Sequence, residues 1–323
     1  LHNAGKTCAM FYNWEQLRDV SLPGCKCFDL FMNLHDYEDT DRKLTDAALA
    51  DAYASVDEAA LTPYVVHDLD KPLLAEMPVA GKIVSEKADS LFGSTVWTLS
   101  NGIRVHLKKT DYNPDHVVIA GYSPGGFSAG YNPALAPEYH LVNDVLAAGA
   151  YGGHTATDLR RMTAGKDVRV DVSIDNMEER LLASSATSDL ETALQLMYLK
   201  ATLPTRDDQA FTSIIENHRM KLSSQNSNPT FTMADSIHYY VYDRHPLGAK
   251  LSKDDLDKVS YDRIIGMHRD RFGDMTDFDF YILGDFDTDT LRMLTERHIA
   301  SHPAAGARDQ PADIGDPYTK GRA

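Results

Sequence analysis

Residues 167–174, DVRVDVSI, alternate strictly between polar and apolar side chains. The apolar positions are Val168, Val170, Val172 and Ile174, and the polar positions between them are Arg169, Asp171 and Ser173. Because successive side chains of a strand point to opposite faces, this pattern predicts a β-strand with one buried and one solvated face. Such a strand is typical of an antiparallel sheet. A turn at Asp175-Asn176 leads to residues 180–186, which we expect to be its partner strand.

A second pair of strands is predicted by TVWTLSNGIRVHLKKT, residues 95–110. Its two apolar runs, 96–99 and 103–107, are separated by Asn101-Gly102, which favours the positive φ angles of a tight hairpin turn. Two further strands are expected, HVVIAGYS at 116–123 and FDFYIL at 278–283.

Helices are predicted where apolar residues recur at spacings of three and four. The clearest one covers residues 190–201 and follows SDLE at 188–191, which fits a capping box. Ser260 and Gly273 have the residue types preferred at the start and the end of a helix. The other expected helices cover 139–148, about 207–222, 231–242, 260–272, and 288 to the residue before Pro303.

The order of these elements predicts the fold class. Strands come first, helices follow, and one strand and one helix end the series, which favours an α+β domain with a largely antiparallel sheet packed with helices. We place this domain at residues 91–302. Residues 1–90 are interpreted as a linker region with a helix at 45–53, because Pro63, Pro72 and Pro78 interrupt any longer helix. Residues 303–323 are expected to be an exit linker.

Charge and composition narrow the functional classes. The 323 residues include 48 acidic and 32 basic side chains, which gives a net charge of −16. This balance disfavours nucleic acid as a partner, because nucleic-acid-binding proteins cluster Lys and Arg. No apolar run reaches the roughly 18 to 20 residues that a membrane span requires, so none is predicted. The sequence begins with Leu1 rather than Met, and we expect a piece of a longer protein.

Two histidines have the spacing of metal ligands. His298 and His302 lie four residues apart, which places two imidazoles on one face of a helix. No Glu follows His298 in the position of a general base, and histidines near a helix C-terminus are favoured by the helix dipole in any case. We therefore assign no metal ligands, and a stand-alone metal-binding domain built on this pair is kept as an alternative.

A glycine tract and a basic cluster are the candidate substrate-binding residues. Gly152 and Gly153 belong to no phosphate-binding pattern, so a turn, or a loop that lets a peptide backbone approach closely, is the better interpretation. Arg160 and Arg161 precede a strand, where a guanidinium can bind a peptide carbonyl or carboxylate; a solvated helix face is the alternative. No Ser/His/Asp set is found, and no catalytic residue is predicted.

Several segments together resemble the insulinase-like zinc peptidases (peptidase M16), the family of pitrilysin, mitochondrial processing peptidase and the complex III core proteins. The resemblance is carried in order by residues 98–115, 149–170, 188–204 and 282–299, with RHPLG at 244–248 as a further element. It implies an insulinase/processing-peptidase-like α+β domain. KPLLAEMPVAGKIV at 71–84 is similar to the connector that joins two halves of such proteins.

In that family an N-terminal half carries His-x-x-Glu-His and binds zinc, whereas a related C-terminal half has lost these residues and closes over the substrate. This sequence has no His-x-x-Glu-His, and at the matching place PEYHLVND, residues 137–144, holds one Glu and one His in another relation. Arg160 or Arg161 matches the family's substrate-holding Arg, but Asp167 and Val168 stand where its Tyr belongs. The resemblance therefore implies peptide positioning rather than direct help in the transition state.

The sequence thus predicts a non-catalytic C-terminal-half domain of a bacterial zinc metalloendopeptidase. The expected partners are a peptide substrate and an N-terminal catalytic half, in the same or a paired chain, that holds the zinc; no cofactor is expected in this piece. The piece alone is expected to be inactive, and an exported or periplasmic parent is compatible with the family. The alternative is a catalytically dead scaffold or assembly subunit like the complex III core proteins, which lacks His-x-x-Glu-His throughout.

Overall fold

A computed structural model describes residues 9–12, 26–29, 54, 71–225, 229–241, 245, 251–306 and 309–314. The chain divides into two compact units, Leu1–Val65 and Val66–Ala323. In the first unit, strands β1 (Ala9–Tyr12) and β2 (Lys26–Asp29) pair in parallel. The helix predicted at 45–53 lies outside the described residues.

Seven strands of the second unit form one sheet. They are β3 (Ile83–Asp89), β4 (Ser94–Leu99), β5 (Arg104–Lys109), β6 (His116–Pro124), β8 (Val168–Ile174), β9 (Glu178–Ala186) and β11 (Asp279–Gly284). Their order is β3-β4-β5-β11-β6-β9-β8. Strand β11 is parallel to β5 and antiparallel to β6, and the other neighbouring strands are antiparallel. Strands β7 (Ala150–Tyr151) and β10 (Pro204–Thr205) form a separate short pair. The predicted α+β class with a largely antiparallel sheet is confirmed.

The helices fall close to their predicted positions. They are α1 (Ala136–Ala148), α2 (Ala156–Met162), α3 (Leu190–Thr202), α4 (Asp208–Gln225), α5 (Pro229–Val241), α6 (Lys253–Leu256), α7 (Tyr261–Phe272) and α8 (Thr288–His298). Ser260 caps α7 through a hydrogen bond from the Arg263 amide, and Gly273 ends it, as expected. The sequence does not predict the short helices α2 and α6. In the described part of the chain, no helix has both the length and the apolar character needed to cross a bilayer.

One face of the sheet forms the core. Trp97, Val105, Ile119 and Phe280, from four different strands, are fully buried on it. Helices α1 and α3 pack against β8, and α3 also packs against β9. The other face is far more accessible, and its exposed side chains include Val118, Tyr122, Tyr281 and Leu283. This difference is the alternation of buried and solvated positions that the sequence of β8 predicts.

The hairpin between β4 and β5 has its predicted place but not its predicted conformation. Gly102 has a φ of 90°, whereas Asn101 is not among the residues with positive φ, so the expected pair of positive angles is wrong. The Gly102 amide donates to the Leu99 carbonyl at 3.0 Å, which is typical of a type I turn followed by a left-handed glycine. The Asn101 side-chain amide donates instead to the carbonyls of Ile299 and His302, at 3.0 and 3.2 Å. It thereby ties the hairpin to the end of α8.

The start of α3 also differs from its prediction. A short 3₁₀ turn, Thr187–Asp189, precedes the helix, and the capping residue Asp189 makes no side-chain capping bond. Its Oδ2 atom accepts a hydrogen bond from the Asp167 amide at 3.0 Å instead. The capping box predicted at 188–191 is therefore wrong: the helix is capped at Asp189 rather than Ser188, and the Glu191 carboxylate accepts from the Gln195 side-chain amide at 3.4 Å.

The described structure extends to both sides of residues 91–302. Strand β3 pairs with β4, so the sheet includes residues that precede 91. Beyond residue 302, the amide of Gly306 donates to Thr276 Oγ1 at 2.9 Å and the amide of Asp309 donates to Asp277 Oδ2 at 2.9 Å. The described part of the expected exit linker is thus bonded to the segment that precedes β11.

Candidate functional site

Helix α1 carries PEYHLVND, residues 137–144, which stand where the resembled family has its zinc-binding motif but lack that motif. Its Glu138 is completely buried, and Oε1 accepts hydrogen bonds from Nε of Arg263 at 2.7 Å and from the Ser260 amide at 3.0 Å. Both donors belong to the first turn of α7 and its cap. Glu138 therefore fixes the start of α7, and it is not placed as a base beside a bound water.

The other polar residues of α1 do not assemble a metal site. His140 lies at an exposed position. Oδ2 of Asp144 is hydrogen-bonded to Nε2 of His218 on α4, at 2.8 Å. Among the described residues, no group of three or more His, Cys, Asp or Glu side chains is arranged to hold a metal ion. The donor set on this helix therefore does not fit the zinc of the family's active members.

The two histidines near the end of α8 are core residues. His298 is completely buried and His302 nearly so. Burial lowers the pKa of His298 to about 4. Burial and, to a smaller extent, the neighbouring His298 together lower the pKa of His302 to about 3. Both imidazoles are thus neutral near pH 7. The ring of Tyr198 lies 5.1 Å from that of His302, so an aromatic side chain occupies part of its surroundings.

The glycine tract forms a tight loop between β7 and α2. Gly152 and Gly153 have φ angles of 59° and 82°, which only glycine adopts readily. The Gly152 amide donates to the Leu203 carbonyl at 2.8 Å, and the Gly153 amide donates to Thr205 Oγ1 at 3.0 Å. Both amides are therefore already bonded to the segment that follows α3.

The basic cluster lies in the last turn of α2. Thr155 and Asp158 form a capping box at the start of this helix, which sets its direction. Arg160 and Arg161 are both exposed. The Arg160 guanidinium donates to Thr157 Oγ1 at 3.3 Å, one turn earlier on the same helix.

A groove of about 500 Å³ lies between the end of α1, helix α2, the first half of β8, and α3. Arg160 and Gly149 line it, whereas Gly152, Gly153 and Arg161 are not among its lining residues. We call this space the β8 groove. The structure therefore separates the predicted binding residues: Arg160 faces the groove beside the edge strand, and the two glycines shape the neighbouring loop.

Lys200 also lines the β8 groove, although it is not among the residues predicted from the sequence to bind substrate. It lies on α3, and its ammonium donates to the Val170 carbonyl at 2.6 Å and lies 5.8 Å from the centre of the Tyr151 ring. Desolvation lowers its pKa, against a smaller attraction from Asp171. Leu196 and Lys200 both line the groove and are four residues apart, so they lie on the same face of α3. This spacing is the sequence feature that could have indicated Lys200 as a groove residue.

A second depression, of about 530 Å³, lies on the accessible face of the sheet, beside Tyr122 and Tyr281. The carboxylates at its edge already have partners. Asp277 accepts from Ser123 Oγ at 3.0 Å, and Asp279 is bound by the Arg104 guanidinium. These carboxylates bind side chains of the neighbouring strands, and we assign no ligand to them.

Comparison with known proteins supports the resemblance seen in the sequence. No protein-family model matches the chain. It is 25% identical over 242 residues to the probable zinc protease PqqL of Escherichia coli (strain K12), which covers 73% of this chain and 25% of that protein. It is 22% identical over 248 residues to a PqqL-like zinc protease of Arabidopsis thaliana, which covers 76% of this chain and 23% of that protein. The chain thus spans about a quarter of the length of these relatives.

Solved structures share the fold. The periplasmic protease PqqL from Escherichia coli aligns with a TM-score of 0.66 and 20% identity, over 94% of this chain and 32% of that one. The ferredoxin protease FusC, in complex with Arabidopsis ferredoxin, aligns with a TM-score of 0.63 and 18% identity, over 81% and 29%. A peptidase M16 inactive domain from Pseudomonas fluorescens aligns with a TM-score of 0.52 and 16% identity, over 68% and 54%. The chain is therefore similar in sequence to M16 zinc proteases and has the fold of M16 peptidase domains, an inactive one included.

Proposed function

We propose that this insulinase-like M16 domain is the non-catalytic lobe of a longer zinc endopeptidase, in which it closes over peptide substrates and positions them. The observation that carries the proposal is the use of Glu138. In the helix that stands in the place of the zinc-binding motif, this carboxylate is bound to Arg263 and the Ser260 amide, so α1 serves the packing of the domain. The longer relatives are zinc proteases, which supports a catalytic half outside this chain.

The β8 groove supports peptide positioning. Several backbone groups of β8 point away from β9. The Val170 carbonyl does so and is bound by Lys200, and both backbone groups of Ile174 do so and are bound by the Asn143 side chain. Because these groups alternate along a strand, the N–H and C=O of Val172 also point away from β9. Val172 follows Asp171, the last residue of β8 that lines the groove. A peptide that extends from the groove along β8 can therefore hydrogen-bond to the middle of the edge strand, as in other cases of strand addition.

The same geometry supports a proposal for the substrate class. A groove beside a strand edge suits an extended polypeptide, and the structural neighbour FusC is in complex with a whole protein, ferredoxin. We propose polypeptides as substrates, a bacterial source, and a periplasmic or exported location for the parent protein, which the periplasmic PqqL supports. A catalytic half of the same or a paired chain supplies the zinc in this proposal.

The complete parent protein provides the test. We expect it to cleave peptides in a zinc-dependent manner, and we expect the present chain alone to cleave none. In the parent, Arg160→Ala should raise the KM for peptide about tenfold with little change in kcat, because a charge-assisted hydrogen bond to the bound peptide is worth about 1.5 kcal/mol. Arg219→Ala is the control, since Arg219 lies on α4 and pairs with Asp257.

Three outcomes would change the proposal. A parent protein without zinc-dependent peptidase activity would favour the scaffold or assembly subunit. Unchanged KM and kcat in the Arg160→Ala parent would remove Arg160 from the binding site. Zinc-dependent cleavage by the present chain alone would contradict the assignment of a non-catalytic lobe.

A further inference from the structure

The β8 groove combines an apolar floor with three basic side chains, those of Arg160, Arg169 and Lys200, and one acidic side chain, that of Asp171. Leu159, Tyr151 and Leu196 are buried side chains that line it, together with the apolar side of β8. Lys200 enters from α3, and Arg160 enters from α2. A volume of about 500 Å³ lies within the usual range for sites that bind a small molecule or a few residues of a peptide.

Lys200 has no carboxylate counter-ion within the part of the chain that the structure describes. Its ammonium donates to one carbonyl, that of Val170, and among the described residues it forms no ion pair with a carboxylate. An ammonium has three N–H donors, so two of them are left for a ligand or for water. Asp171 attracts it from the rim, but the Asp171 carboxylate is engaged with Arg169 at 2.7 Å. A half-buried cation in this setting gains from an anion that enters the groove.

Arg160 provides the second positive group. Its guanidinium is exposed and donates to the Thr157 hydroxyl, and within the described part of the chain it forms no ion pair. Guanidinium groups bind carboxylates through two parallel hydrogen bonds, which a single hydroxyl does not satisfy. In a chain with a net charge of −16, Lys200 and Arg160 lie beside one groove and have no carboxylate partner in the described segments, which marks a place for a negative ligand.

We propose that the β8 groove binds the C-terminal carboxylate of a peptide whose last residue is apolar. This inference rests on the proposed function of peptide positioning and specifies which end of the peptide is held. The carboxylate lies between the Lys200 ammonium and the Arg160 guanidinium. The last side chain packs against Leu159 and Leu196, and the preceding residues leave the groove along β8.

The test compares a free carboxylate with its amide on the purified full chain. The probe is a fluorescein-labelled hexapeptide of five alanines and a terminal leucine, prepared as the acid and as the C-terminal amide. We expect the acid to bind about tenfold or more tightly than the amide by fluorescence anisotropy, since hydrogen bonds to charged groups are worth about 1.5 to 3 kcal/mol. Added salt should reduce this preference, because the carboxylate is held by charges.

Three variants locate the effect. Lys200→Met and Arg160→Gln should each reduce the preference for the acid about tenfold, and the exposed Arg160 can be changed without disturbing the core. Lys108→Met is the matched control: Lys108 also donates to a backbone carbonyl, that of Phe92, but it lies on β5. This control should keep the full preference.

Equal affinity for acid and amide would overturn the carboxylate site and leave peptide positioning intact. Absence of binding by both peptides would overturn it as well, and the proposed function would then be judged by the Arg160→Ala parent alone. A third peptide carries an internal glutamate and an amidated end. If it binds as tightly as the acid, the groove recognises acidic side chains rather than the chain end, and the proposal fails in its stated form.

Discussion

Glu138 and Arg263 meet across 125 positions of sequence, with Oε1 of the carboxylate 2.7 Å from Nε of the guanidinium. We predict that Glu138→Ala lowers the free energy of unfolding by about 2 to 3 kcal/mol, measured by urea denaturation. This is less than the usual cost of a broken buried ion pair, because the Arg263 side chain is 46% exposed and water can solvate it.

Glu138→Gln is the matched control for that variant. It keeps an oxygen that can accept from the Ser260 amide, so we expect it to lose roughly half as much stability as Glu138→Ala. A Glu138→Ala protein as stable as the original chain would show that the ion pair does not hold α7 in place.

Acid should destabilise the domain through its buried histidines. Burial lowers the pKa of His298 and of His268 to about 4 and that of His302 to about 3. Their unfolded pKa is about 6.5, so the unfolded chain binds more protons as the pH falls from about 6.5 to 4, and stability is lost over that window. A shift of this size corresponds to about 3 kcal/mol per histidine.

Urea denaturation at a series of pH values measures this effect. Replacement of His268 by Gln should flatten the profile between about pH 6.5 and pH 4, because one of the titrating groups is removed. A profile that is unchanged in this variant would contradict the assignment of His268 as a neutral buried side chain.

Glu179 should act in the opposite sense. Desolvation, which the charge of Arg271 offsets only in part, raises the pKa of Glu179 to about 7. Since the unfolded value is about 4.5, the folded state binds more protons between about pH 4.5 and 7, and this residue's contribution to stability is lost as the pH rises through 7. We therefore predict that Glu179→Gln gains about 3 kcal/mol relative to the original chain between pH 5 and pH 8. Parallel stability profiles of the two proteins over this range would refute the raised pKa.

Two adjacent glycines form a matched pair of variants. Gly153→Ala introduces a Cβ with no atom within 4 Å, so only the positive φ angle opposes it, at a cost of about 1 kcal/mol. Gly152→Ala has the same backbone problem and also places a Cβ 2.5 Å from Leu199 Cδ1, which raises the cost to about 3 kcal/mol. Thermal unfolding of both variants tests the difference. Equal melting temperatures would show that Leu199 moves aside without cost.

Zinc should not bind at the end of α8. The imidazoles of His298 and His302 are buried, and among the described residues no third ligand joins them. We predict that elemental analysis of the purified chain finds far less than one zinc per molecule and that added zinc leaves the melting temperature unchanged. One equivalent of tightly bound zinc that His298→Ala removes would restore the metal-binding alternative.

The sequence predicted the elements of the domain well because local patterns determine them. The alternation in β8 and the spacing in α3 are properties of short segments, and both elements form where expected. Capping was less predictable. Ser260 caps α7 as expected, but Asp189 bonds to the Asp167 amide, a partner that only the folded chain brings near.

The candidate site was predicted only in part, for the same reason. Arg160 stood out because two arginines are adjacent in sequence, and it does line a groove. Lys200 did not stand out, because a lysine late in a helix is usually a solvated residue that favours the dipole. Its role depends on the distance from its ammonium to the Val170 carbonyl, and that contact joins residues 30 positions apart.

Strand β11 is synthesised near the end of the domain, yet it fills the middle of the sheet between β5 and β6. As the nascent chain emerges from the ribosome, the early strands can assemble only as two half-sheets, β3-β4-β5 and β6-β9-β8, each with an unsatisfied inner edge. Such edges invite pairing with other chains. The two half-sheets can therefore be joined only after synthesis has reached Gly284, the last residue of β11. A premature stop before Asp279 would leave two half-sheets with exposed edges that are prone to aggregate.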